Sequence, residues 1–181
     1  KKGSRMKAAN TRPVAILNAS FKTAALILTA RLTPHLAAVT KATQTGFVKG
    51  RFIHENCLRL RDGMEYARQI NADVTVVSTD YAKAYDMVQH EPLFAIARKI
   101  GGEGYESWLR TMYIGHKRFI VVNGVISPPV ELLSGVPQGC CHACQAFLIF
   151  IEGLAHRIRG NDAIRGLEMP DGSKLTDVRY A

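Results

Sequence analysis

Residues 73–80, Asp-Val-Thr-Val-Val-Ser-Thr-Asp, break into a chain whose apolar residues otherwise recur mostly at helical spacing. Val74, Val76 and Val77 are β-branched, and such side chains pack best on a pleated surface. Polar residues bound the run, so it predicts a strand that ends on a carboxylate, Asp80. Upstream, Val14-Ala15-Ile16-Leu17 reads as a short strand or extended segment. Phe21, Ala24, Ala25, Leu28 and Leu32 predict a helix over about 20–38, capped by Ser20 and shortened by Pro34. A second helix is predicted over 53–70, with Leu58, Leu60, Met64, Ala67 and Ile70 as its buried stripe and Gly63 as its weak point. Downstream, Pro92 opens a helix that Gly101-Gly102 ends, and 106–113 form another. Asn123-Gly124 between Phe119-Ile120-Val121-Val122 and Val125-Ile126 predicts a hairpin, because Asn-Gly accepts positive φ. A long helix over 146–158 and a strand over 175–180 complete a mixed, α+β pattern without internal repeats.

Charge separates the two ends. Residues 1–61 carry twelve Lys or Arg against the single acid Glu55, a net of +11. The other 120 residues carry 12 bases and 14 acids, a net of −2. A basic end of this kind suits nucleic acid or another polyanion. The longest apolar stretches are far too short to span a bilayer. With neither an initiator Met nor an apolar signal region, the chain is expected to be an internal piece that continues in both directions. Cys140, Cys141 and Cys144 crowd into five residues, unlike a disulfide framework, and Cys141-His142-Ala143-Cys144 lacks the second ligand pair of a zinc site. Reduced thiols and an intracellular setting follow.

The residues after the Val-rich run carry the chemistry. Asp80-Tyr81 is followed by Lys83-Ala84-Tyr85-Asp86, then Gly135-Val136-Pro137-Gln138-Gly139-Cys140, then Val178-Arg179-Tyr180-Ala181. Earlier stand Arg12-Pro13-Val14-Ala15-Ile16-Leu17-Asn18 and Gln44-Thr45-Gly46-Phe47-Val48-Lys49-Gly50-Arg51-Phe52-Ile53-His54-Glu55-Asn56. A carboxylate after a strand is by itself usually a loop cap, and a single cation usually a solvated surface charge. In this order, over almost all 181 residues, the segments resemble the successive motifs of non-LTR (LINE-type) retrotransposon reverse transcriptases.

That resemblance implies an incomplete right-hand polymerase fold: a basic, fingers-rich part over about 1–72 and a palm-rich part over about 73–181, with an antiparallel palm sheet packed on helices. The implied activity is RNA-directed DNA synthesis, with RNA template, DNA primer and dNTPs as partners and two Mg2+ ions as cofactor. Asp80 becomes the catalytic carboxylate and a metal ligand, with the Tyr81 backbone carbonyl beside it; hard magnesium ions favour such oxygens. Tyr85 becomes the wall under the incoming sugar, where bulk excludes a 2′-hydroxyl. Arg12, with Lys1, Lys2 or Arg5, binds the triphosphate, since a guanidinium matches phosphate geometry. Gln138, able to donate and accept, sits against nucleotide or template. Gln44, Gly46, Phe47, Lys49 and Arg51 fall to the template. Tyr180 and Ala181 begin the active-site strand, expected beside Asp80, while Asp86 is structural. For a LINE-type parent, a nuclear location follows.

Two departures from the family pattern stand out. After Cys140 the family continues with Pro, an apolar residue and Ser-Pro, so a capping Ser and a helix-starting Pro are missing here. After Tyr-Ala the family has two aspartates, so the chain as given is expected to be inactive alone. A non-catalytic, RNA-binding remnant of a retroelement and a group II intron-type reverse transcriptase are the alternative readings.

Overall fold

The computed structural model describes residues 14–180; Lys2, Arg12 and Ala181 lie outside them. Helix α1, Ala19–Leu32, starts at Asn18, whose side-chain oxygen accepts from the Phe21 amide at 2.7 Å. Asn is among the strongest N-cap residues, so the cap falls there and Ser20 lies inside the first turn. Pro34 ends the regular helix as expected: a 3-10 turn, Thr33–His35, leads into the short α2, Leu36–Val39.

Helix α3 spans Ile53–Gln69, but most of its expected apolar stripe does not face inward; of that stripe Ala67 is buried and Leu60 half-buried. Leu58, Met64 and Ile70 are exposed, and the buried residues are Asn56, Gly63 and Ala67. The reason is the close approach of the segment at 167–175. A Cβ on Gly63 would stand 2.7 Å from Leu175 Cδ2. Small residues therefore face the neighbour, and Gly63 acts as a packing notch rather than a weak point.

Residues 73–80 correct a second expectation. They form no ladder with any described strand, and Val77 is 77% exposed. Branched side chains favour extended backbone, but a strand also requires a partner edge for its amides and carbonyls. The segment 14–18 is likewise irregular, tied by one bond from the Ala15 amide to the Gln138 carbonyl at 2.9 Å.

The core forms where α4, His90–Tyr113, packs on α5, Ala143–Arg159. Leu93, Phe94, Leu109, Leu148 and Ile149 are completely buried there. Gly102, at φ +73°, bends α4 between the two predicted helices. The β structure comes as three antiparallel pairs: β1 (Lys117–Arg118) with β4 (Val130–Glu131), β2 (Val121–Val122) with β3 (Val125–Ile126), and β5 (Leu167–Glu168) with β6 (Lys174–Leu175). The β2–β3 hairpin turns on Asn123 and Gly124 at φ +50° and +81°, as their identity requires. The α+β class holds, while the described residues contain these pairs rather than one palm sheet. The predicted strand over 175–180 is only partly regular; its far end makes a single bridge, Arg179 to Gln44.

Four charges join α5 to that C-terminal segment. Arg159 and Arg179 each reach both Glu152 and Asp177, at 2.5–3.2 Å, with side chains only 12–20% exposed. Each acid is shared by two guanidinium groups, so removing one carboxylate leaves charge poorly solvated. Glu152→Ala should lower the unfolding free energy by about 2–3 kcal/mol in a urea titration. Glu91→Ala, which breaks the exposed pair with Arg110, should scarcely move it.

Candidate functional site

The loop 135–139 is pinned from both sides. The Gly135 amide donates to the Val88 carbonyl at 2.7 Å and the Val136 amide to the Tyr85 carbonyl at 2.9 Å. His90 Nε2 lies 2.8 Å from the Gly135 carbonyl, an acceptor only, so the ring proton is on that nitrogen. Gly135 has φ +92°, and a Cβ there would meet the Asp86 carbonyl at 3.0 Å. Gly139 has φ +103°, and its Cβ would meet the Ala15 carbonyl at 3.1 Å. Both glycines of Gly-Val-Pro-Gln-Gly are thus required by backbone conformation and close approach together. The result ties Gln138 to Ala15 at one end of the loop and Gly135 and Val136 to the Tyr85–Asp86 backbone at the other.

Tyr85 is half-buried, its ring stacked on Phe147 of α5 with centroids 5.0 Å apart. Burial and the neighbouring Cys144 thiol push its phenol up, so the hydroxyl stays neutral. Asp80 and Tyr81 precede it on the exposed segment, and no hydrogen bond or ion pair engages Asp80 among the described residues. No group of three or more His, Cys, Asp or Glu converges as a metal-holding cluster among the described residues. The donors among the described residues therefore fall short of a two-ion site.

The second gathering lies around the loop 40–54. Phe47, Lys49 and Arg51 line a cleft of about 510 Å³ with Tyr180. Tyr180 thus lies with the template candidates, and no ladder joins its segment to 73–80, contrary to the expected pairing with Asp80. Arg51 points inward: its guanidinium donates to the carbonyls of Ala37, Thr40, Lys41 and Gln44 at 2.6–3.3 Å and to the Thr40 hydroxyl at 3.0 Å. Its expected template contact meets a side chain already committed to the loop. Gln44 and Gly46 are buried, with the Gln44 side-chain oxygen accepting from the Gly46 amide at 3.0 Å. Lys49 and Phe47 are the exposed members of the set.

Two residues missed at the sequence level organise this loop. Asn56 donates to the carbonyls of Thr43 and Arg179 at 2.8 and 2.7 Å. Arg179 exchanges backbone bonds with Thr43 and Thr45 at 2.9 and 3.0 Å. Asn56 ends the segment 44–56 and Arg179 precedes Tyr180 in the last motif, so both lay inside the ordered motifs, but neither was assigned a role there.

Helix α5 begins without the missing Ser-Pro. His142, at its N-cap position, makes no side-chain cap bond. Its ring is buried instead, with Nε2 2.9 Å from the Tyr105 hydroxyl. The four cysteines are free thiols.

An α+β domain with a glycine-pinned loop beside an aromatic, and a basic cleft at its other end, has the parts of a nucleic-acid enzyme. The family model for reverse transcriptase (RNA-dependent DNA polymerase) matches residues 1–181, and the chain belongs to that family. It is 31% identical over 153 residues to the transposon TX1 uncharacterized 149 kDa protein of Xenopus laevis, covering 84% of this chain. The match spans 12% of that relative's length.

Two measurements test the local physics. Gly135→Ala combines positive φ with a backbone clash, and should cost about 2 kcal/mol or more of stability. Gly50→Ala, at φ +81° with nothing near its Cβ, should cost about 1 kcal/mol, from strain alone. Burial pushes His142 down to about 4 from 6.5. Between those values the unfolded chain binds a proton that the folded chain refuses, so stability falls as pH drops through this window. The loss should approach about 3 kcal/mol at pH 4, and His142→Gln should remove that component from a pH series of urea titrations.

Proposed function

We propose that this chain is the fingers and palm portion of a non-LTR, LINE-type reverse transcriptase whose parent enzyme extends a primer 3′-hydroxyl with dNTPs on an RNA template. The family match across the whole chain carries the reading. The glycine-pinned Gln138 loop against Tyr85 supports a nucleotide position there, with Arg12 and Lys2 supplying positive charge for the triphosphate. Tyr85, neutral and backed by Phe147, would offer a flat, firm wall to the sugar. Asp80 and the Tyr81 carbonyl are this chain's share of the magnesium ligands in the complete enzyme. Lys49 and Phe47 would face the template, while Arg51, Gln44 and Gly46 shape the loop that presents them. A nuclear site of action belongs to the same reading.

Binding to single-stranded RNA and to RNA–DNA duplex should weaken steeply as salt rises, because phosphate contacts release counterions. Lys49→Ala should weaken all sequences alike and reduce the salt slope by about one. Affinity indifferent to ionic strength would sink the nucleic-acid reading. In primer extension the 181-residue chain should incorporate nothing. A longer chain with the complete polymerase domain should extend, and lose extension on Asp80→Asn while keeping its affinity for template. Extension by the 181-residue chain itself would overturn the carboxylate argument.

A further inference from the structure

We propose that Phe52 and His54 form a stacking shelf for an unpaired base of single-stranded RNA, at the mouth of the cleft shared with Phe47, Lys49 and Tyr180. The proposal rests on the template reading above and adds two side chains outside the motif-derived template set. The Phe52 and His54 rings lie within 20° of parallel, with centroids 5.4 Å apart. Phe52 is 57% exposed, Phe47 47% and Tyr180 60%. A single exposed aromatic needs no explanation, but three around one cleft do.

Charge selects the occupant. Among the described residues the cleft wall carries Lys49 and no carboxylate side chain, and most of it comes from the end of the chain that bears the +11 excess. Aromatic faces beside a cation suit a base with its phosphate, and every base has a π-face to stack. A peptide or a second copy of the chain would find the aromatic surface but gain little from the cation.

The shelf is also held ready. Phe52 stands at the N-terminus of α3, where its amide donates to Glu55 Oε1 at 3.3 Å, half of a capping box. Arg51, the preceding residue, is locked to the loop by its guanidinium. Phe47 is held at φ +54°, a conformation that bulky residues adopt only where neighbours over-determine it. Strain retained to present a ring to solvent points to a use for that ring.

The test uses the 181-residue chain and a short single-stranded RNA carrying one 2-aminopurine, whose fluorescence is quenched when it stacks. Wild type should quench the probe. Phe52→Ala should relieve the quenching and weaken binding roughly tenfold, with the salt slope unchanged because no phosphate contact is lost. Phe52→Leu keeps apolar bulk without a π-face and should behave like Phe52→Ala, while Phe52→Trp should retain both signals; this pair keeps the test decisive if the alanine variant folds poorly. His54→Ala should give a smaller loss in the same direction. Blunt duplex RNA, with no unpaired base, should bind all variants equally. Salt-dependent binding that ignores Phe52→Leu overturns the shelf and leaves the template reading standing. No binding of RNA by wild type overturns the template reading itself. Self-association abolished by Phe52→Leu, with RNA affinity unmoved, assigns the cleft to a second copy and overturns the proposal.

Discussion

Arg179 is the residue on which the arrangement turns. Its guanidinium closes the ring with Glu152, Asp177 and Arg159, and its backbone bonds to Thr43, Thr45 and Asn56. One residue thus ties α5, α3 and the loop 40–52 to the segment that ends at Tyr180. Burying four charges is expensive, and only mutual neutralisation with good hydrogen-bond geometry offsets it. A pair of methionines could fill the volume, but would leave no directional link between elements so far apart in sequence. The ring sets where the C-terminal segment lies; Gly63 sets how near it comes.

The loops 135–139 and 40–52 use different devices for the same end. At 135–139, two glycines at positive φ let backbone press against backbone, with the His90 ring as the one side chain bonded to the loop's carbonyls among the described residues. At 40–52, side chains do most of the holding: Arg51, Asn56 and Arg59 donate to the carbonyls of Ala37, Lys41, Ala42, Thr43 and Gln44. Loop backbone needs such partners wherever it is partly buried. Both devices fix the backbone first and leave the exposed side chains on top of it.

Features written in local chemistry were legible in the sequence. The Asn123-Gly124 hairpin, the break at Pro34 and the bend at Gly102 each follow from a residue's own φ preferences. The inward face of α3 was not legible, because apolar periodicity ranks large residues, whereas this helix packs by its small ones. The strand over 73–80 was misread for a related reason: propensity describes a residue, and pairing describes two segments. The four-charge ring was invisible because Glu152 and Asp177 are remote in sequence and look like ordinary surface acids. The motif order singled out Tyr85, Gln138 and the loop 44–51. It did not separate Lys49, which faces the cleft, from Arg51, which faces its own loop, since two cations two residues apart differ only in the acceptors around them.

That difference between Lys49 and Arg51 shows how the basic end works. Counting charges treats both as candidates for phosphate. Arg51 presents a planar fork of donors, and a turn rich in inward carbonyls captures it completely. Lys49, a point charge on a flexible stem, finds no such fork-shaped partner and stays exposed. Exchanging the two identities would put a strongly directional group in the cleft and a weak clamp in the loop. The loop would then lose the bonds that tie its backbone at Ala37, Thr40, Lys41 and Gln44. The bonding of the loop backbone and the exposure of the charge beside it are therefore one design, and both depend on which cation stands at which position.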